Sequence, residues 1–196
     1  MKRLHSIRLE NNLILRETRS TNLTKLIEAI EANKDFFRTV EFWMAEGSIE
    51  DHAKLLVEKA EKTRREKTGA RFGLWLGNPG GTKSGSKSDL IGQFNIFDMD
   101  KQNKKAEVGY WLAENHNGKG YASKALRALI KFGFEELKLH RLEAKTATTN
   151  RSSIRLLERT GFQREALLRG AFKIGNRFVD DYLYSLLETD KRKDKL

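Results

Sequence analysis

Cysteine is absent from this chain of 196 residues. Its absence removes disulfides, thiolate nucleophiles and cysteine-ligated metals together. Proline occurs once, as Pro79. The four histidines, His5, His52, His116 and His140, are scattered without ligand spacing, so no metal site is expected. No apolar run approaches the length of a membrane span. The start carries Lys2, Arg3 and Arg8 without an apolar stretch, so no signal peptide is expected either. A cytoplasmic location and no membrane partner fit these absences. Internal repeats and long linkers are also missing. The expectation is one domain over residues 1–187 with a basic tail at 188–196.

Positive charge is abundant. Thirty-eight Lys and Arg face 27 Asp and Glu, a formal net charge of +11. Such a surface attracts polyanions: nucleic acid, a ribosome, an acidic protein face or a phosphate-bearing cofactor. A solvated basic face that only aids solubility is the plainer alternative. Hydrophobic residues at 38% and charged residues at 33% indicate a globular chain, not a disordered one.

Periodicity predicts a mixed α/β fold. A short strand at 13–16 precedes helices. Leu23, Leu26, Ile27 and Ile30 keep helical spacing, Phe36, Phe37, Val40, Trp43 and Met44 suggest a second helix, and Ser48 with Asp51 caps a third. Strands follow at 70–76, 90–97 and 105–112. Between the first two lies a Gly/Ser-rich stretch at 77–88, read as a mobile hairpin loop. An amphipathic helix carries Ala122, Ala125, Leu126, Leu129, Ile130 and Leu137 on its inner stripe. A strand at 141–146, a helix capped by Asn150 and ending at Gly161, and a closing strand pair complete the order. The pair turns at Gly175 and Asn176. This gives a mixed sheet with helices against it.

The most informative stretch is Asn117-Gly118-Lys119-Gly120-Tyr121-Ala122, between a strand and a helix. Its glycines permit a tight turn and close approach of a ligand to the backbone. The helix that follows presents unpaired N–H groups and a positive dipole end, a site for phosphate. An ordinary surface loop would look the same from these letters alone.

A second motif, Asn150-Arg151-Ser152-Ser153-Ile154-Arg155-Leu156-Leu157-Glu158-Arg159-Thr160-Gly161-Phe162, lies about thirty residues on. With Glu107-Val108-Gly109-Tyr110-Trp111-Leu112 and Leu139-His140-Arg141-Leu142-Glu143-Ala144, it resembles the GNAT superfamily of acetyl-CoA-dependent N-acyltransferases. Within that superfamily it is similar to the branch of ribosomal-protein N-terminal acetyltransferases, the RimJ/RimL type. The resemblance implies a central, mostly antiparallel, splayed sheet flanked by helices. It implies that the pyrophosphate of acetyl-CoA rests on the amides of Gly118, Lys119, Gly120, Tyr121, Ala122 and Ser123. The pantetheine arm would lie along Trp111, Leu112 and Ala113 and touch Asn150, with a backbone N–H of Leu112 or Ala113 polarising the thioester carbonyl. The pattern departs at Asn117, where the superfamily usually has Gln or Arg.

The reaction implied is attack of an amine on a thioester, by direct transfer because no cysteine can carry the acetyl group. Ser153 is the candidate for giving the thiolate its proton, since the tyrosine of many relatives is here Leu157. Contact with the cofactor without proton transfer is its alternative role. Glu107 is the candidate base; a cross-strand partner for Lys or Arg is its alternative. Some relatives carry a Glu in the closing hairpin where this chain has Phe172, while Glu165 and Asp180 are nearby carboxylates of unassigned position. The acceptor suggested is a protein N-terminal α-amine, with possible ribosome association and, by family analogy, a homodimer. The rivals are a small amine such as a polyamine, amino sugar or antibiotic, and a non-catalytic basic module binding RNA or the ribosome.

Overall fold

A computed structural model describes residues 6–10, 12–40, 48–77, 88–174 and 177–190. Trp43, Met44, residues 191–196 of the tail and most of the Gly/Ser-rich stretch fall outside them, as does the turn at Gly175 and Asn176.

Eight strands form one sheet in the order β1-β2-β3-β4-β5-β6-β8-β7. They are β1 (Ser6–Glu10), β2 (Leu13–Glu17), β3 (Ala70–Gly77), β4 (Ser88–Asp100), β5 (Lys105–Leu112), β6 (Arg141–Ala147), β7 (Gln163–Ile174) and β8 (Arg177–Leu187). Strand β1 was not expected. Ser6, Arg8 and Glu10 are exposed and alternate with half-buried Ile7 and Leu9, the pattern of a solvated edge. All neighbours pair antiparallel except β5 and β6, which run parallel and meet at only three positions, from Lys105↔Arg141 to Glu107↔Glu143. Beyond Glu107 the two strands part, and the sheet opens in its middle.

Helices cover both faces. They are α1 (Leu23–Glu31), α2 (Lys34–Val40), α3 (Ile49–Glu66), α4 (Tyr121–Glu135) and α5 (Arg151–Arg159). Strand alternation sorts the side chains between two cores. Phe72, Phe94, Ile96, Val108, Leu142, Tyr184 and Leu186 pack against Ala125, Leu126, Leu129, Ile130 and Leu157 of α4 and α5. Ile14, Trp75 and Trp111 face Leu26, Ile30, Phe37, Ala53 and Val57 of α1, α2 and α3. The expected cap of α3 is present, with Ser48 accepting from the Asp51 N–H at 3.1 Å. Leu137 is not on the α4 stripe. The helix ends two residues earlier, and the Leu137 N–H folds back onto the Phe132 carbonyl at 3.1 Å.

Candidate active site

Helix α4 begins on an uncapped turn. Gly118 and Gly120 have φ of 76° and 80°, the left-handed region glycine enters without strain. A Cβ built on either meets nothing within 4 Å. Gly120 is the N-cap, and no side chain caps the end. The first N–H groups of the helix, on Tyr121, Ala122 and Ser123, have no intrahelical acceptor and lie at the positive end of the dipole. They open onto a cavity of about 640 Å³ that Arg155 and Arg159 also line. Arg159 donates from Nε to the Ser123 hydroxyl at 3.1 Å, which ties the last turn of α5 to the start of α4. The result is an anion cradle of main-chain donors backed by two guanidinium groups.

The wall between this cradle and the opened sheet is the outer end of β5. Ala113 donates its N–H to the Ile91 carbonyl at 2.8 Å, and Gly92 faces Leu112. In an antiparallel ladder that bond makes Leu112 and Gly92 a pair without mutual hydrogen bonds. The N–H and C=O of Leu112, and by the same alternation those of Tyr110, therefore point away from β4, toward the gap where β6 has left. Of the two N–H groups considered for polarising a carbonyl, that of Ala113 is spent on Ile91 and that of Leu112 faces the opening.

Tyr110 and Ser153 meet across the gap, hydroxyl to hydroxyl, at 2.9 Å. The Tyr110 ring stacks on Phe94 with centroids 5.6 Å apart. Asn150 caps α5 by accepting from the Ser153 N–H at 3.1 Å and the Ser152 hydroxyl at 2.8 Å. Trp111, on the opposite face of β5, donates to Gln93 at 3.2 Å and meets Phe37 edge-on at 5.2 Å.

A second cavity, of about 370 Å³, lies on the α3 side. Tyr110, Trp111, Asn150 and Ser153 line both cavities, so the two meet at the hydroxyl pair. The smaller one is bounded by Leu55 and Leu56 of α3, by Phe97 and Phe172, and by polar groups of the sheet. Glu107 lines it and binds Lys145 at 2.6 Å, the cross-strand partnership that was the alternative to a base. That bond raises the Lys145 pKa. Asp181 lines it too, only 1% exposed, with neither carboxylate oxygen bonded. Burial pushes its pKa up to about 6; Lys145 opposes the rise, while Glu107 and Asp180 add to it.

Residues 12–163 match the model of the acetyltransferase (GNAT) domain. The chain belongs to that family. Among its relatives, the probable N-acetyltransferase YjcK of Bacillus subtilis is 31% identical over 161 residues, 81% of this chain and 84% of YjcK. The uncharacterized N-acetyltransferase p20 of Bacillus licheniformis is 44% identical over 102 residues, and the match spans 52% of this chain and 57% of p20. The ribosomal-protein-serine acetyltransferase of Escherichia coli is 35% identical over 99 residues, 50% of this chain and 55% of that enzyme. In structure, the ribosomal L7/L12 α-N-protein acetyltransferase RimL in complex with coenzyme A superposes with a TM-score of 0.82 at 19% identity, covering 93% of this chain and 97% of that one. That likeness concerns the fold. The splayed, mostly antiparallel sheet is the GNAT architecture.

In this GNAT chain the larger cavity gathers Trp111, Leu112, Asn117, Gly118, Gly120, Tyr121, Ala122, Ser123, Asn150 and Ser153. Ala113 and Lys119 are not among its lining residues; Ala113 is buried beside the β4 ladder and the Lys119 side chain is exposed. Glu165 is held by Arg141 at 2.9 Å and by Ser185 at 2.6 Å, and its pKa falls to about 2. Asp180 accepts from the Gly170 N–H at 2.7 Å. Leu157 is fully buried in the core. The sequence reading missed Tyr110, Arg155, Arg159 and Asp181 as site residues. The Asp180-Asp181 pair held a usable signal: adjacent strand residues point to opposite faces, so one of the two had to turn inward. No group of three or more metal-ligating side chains occurs among the described residues.

Proposed function

We propose that the protein is an N-acetyltransferase that moves an acetyl group from acetyl-CoA directly to the α-amine of a protein N-terminus. The observation that carries this reading is the pair of cavities meeting at Tyr110 and Ser153. One offers main-chain N–H groups and arginines suited to a pyrophosphate; the other offers carboxylates suited to an ammonium. Bound there, acetyl-CoA supplies the thioester carbonyl and a thiolate leaving group. The open turn at Gly118 and Gly120, with space where any Cβ would project, fits that ligand.

The residues divide the work. The α4 amides, with Arg155 and Arg159, hold the phosphates. The Leu112 N–H, directed into the gap, polarises the carbonyl. Ser153 returns a proton to the thiolate, with the Tyr110 hydroxyl as its relay partner. An alkyl thiol has a pKa of about 8.5, so a weak acid suffices.

The choice of acceptor rests on charge. Glu107 and Asp181 share the smaller cavity with Lys59, Arg71 and Lys145, so cations there outnumber carboxylates. A polyamine would meet repulsion, whereas a single ammonium needs one free carboxylate. An α-amine, with a pKa near 7.7–8.0, is also far easier to deprotonate than a lysine near 10.4. The name of the Escherichia coli relative points the same way, toward a ribosomal protein, and a net charge of +11 suits approach to a ribosome. Thiol release from acetyl-CoA, assayed against N-terminal peptides, polyamines and amino sugars, tests the reading. Turnover confined to free-α-amine peptides is expected; turnover confined to polyamines or amino sugars would overturn the acceptor assignment.

A further inference from the structure

We propose that Asp181 is the acceptor-side base: it holds the incoming ammonium in the smaller cavity and takes its proton before acyl transfer. The inference rests on the acetyltransferase reading above and adds the group that prepares the nucleophile. Three observations carry it.

Position comes first. Asp181 pairs with Ala147 in the β6–β8 ladder, beyond the point where β5 and β6 separate. It lines the same cavity as Tyr110 and Ser153, the groups at the mouth of the other chamber.

Its partners come second. Asp181 is 1% exposed, and neither oxygen has a hydrogen-bond partner. A buried carboxylate left unpaired is costly, and chains rarely keep one without a use. The nearby cation does not serve it directly, because Lys145 Nζ binds Glu107. The Oδ1 of Asn95, lining the same cavity, is buried without a partner as well. Three unused acceptor atoms on two side chains of one cavity match an ammonium, which has donors and no acceptor.

Charge comes third. The charged groups acting on Asp181 are Lys145 of β6, Glu107 of β5 and, from the opposite face of its own strand, Asp180; Lys59 and His52 of α3 and Arg71 of β3 also line the cavity. With Glu107 engaged by Lys145, an ammonium is the counter-ion this corner lacks. A carboxyl group titrating near pH 6 is ionised at neutral pH, yet basic enough to take a proton from an α-ammonium.

The step balances. The N–H proton of R–NH3+ passes to Asp181, giving R–NH2 and a carboxylic acid. The nitrogen lone pair forms the C–N bond to the thioester carbonyl carbon, and the C–S bond breaks. The second nitrogen proton ends on the thiolate through Ser153 and Tyr110, and Asp181 releases its proton to solvent.

The test is Asp181→Asn in the full chain, with Asp181→Glu as companion, both checked by thermal melting. Steady-state kcat/KM for a free-α-amine peptide is measured from pH 5 to 9, and acetyl-CoA affinity by calorimetry. The Asn variant is expected to lose about a hundredfold or more in kcat/KM, to lose the acidic limb near pH 6, and to bind acetyl-CoA as the wild type does. Partial recovery in the Glu variant supports the assignment. A variant within about threefold of wild type that keeps the acidic limb overturns it. Should the wild type release no thiol with any peptide, the function reading fails, and NMR titration still decides the inference. The Asp181 carboxyl midpoint should fall when the free-amine peptide binds and stay fixed with its N-acetylated twin. A midpoint indifferent to both refutes the role of Asp181.

Discussion

The two cavities that meet at Tyr110 and Ser153 are built of different material. The larger one turns on main-chain groups, an uncapped helix start, a glycine turn with φ near 80° and a strand edge whose Leu112 N–H is turned into the gap, backed by Arg155 and Arg159. The smaller one is side chain: Asp181, Asn95 and the Glu107–Lys145 pair, framed by Leu55, Leu56, Phe97 and Phe172. Main-chain donors exist whatever the residue, so such a site asks only for the right φ and for empty space above it. A side-chain site asks for particular letters. One cavity thus suits a ligand common to many proteins, and the other suits a choice of partner.

Breaking the main-chain side should have the largest effect. Gly120→Val forces a β-branched residue into the left-handed region and fills the space above the amides. Acetyl-CoA affinity, by calorimetry, should fall on the order of a hundredfold, about 2.7 kcal/mol, while the core still melts cooperatively. Retained affinity would mean the cradle lies elsewhere. Arg159→Ala should follow, weakening acetyl-CoA by about tenfold through a lost charge-assisted contact, with the deficit shrinking as salt is raised. An unchanged peptide KM in that variant would sharpen the division between the two cavities. At their junction, Ser153→Ala should lower kcat by about fivefold, the worth of one hydrogen bond of ~1 kcal/mol. Its KM for both substrates should hold.

The smallest effect is on stability and belongs to the side-chain cavity. Asp181 has its pKa raised from 3.8 to about 6 on folding. Between those values the folded state holds more protons than the unfolded one, so stability falls as pH rises through the window. Chemical denaturation should show Asp181→Asn gaining on wild type from pH 4 to pH 6, on the order of 1 kcal/mol once solvent screening in the cavity is allowed for. A gap constant across that range would show the carboxyl unperturbed.

Much of the fold could be read in advance because its signals are local. The glycines before Tyr121, the Asn150 cap and the stripe of Ala125, Leu126 and Leu129 each act within a few residues. Strand β1 escaped because two half-buried residues in a five-residue edge strand make too short an apolar pattern to stand out. Tyr110 and Ser153 are 43 residues apart, and their contact depends on how far β5 and β6 diverge. The Glu107–Lys145 bond likewise follows from the parallel register of those strands.

Sequence alone determined most of the elements, their order and the glycine turn before α4, because backbone conformation and amphipathic period are properties of neighbouring residues. Tertiary structure decided which hydroxyl meets Ser153, which N–H faces the gap and which of two adjacent aspartates is buried unpaired. Those facts depend on strand register and on the parting of β5 from β6, where groups far apart in the chain are brought into one low-dielectric cleft and their protonation is set by what surrounds them there.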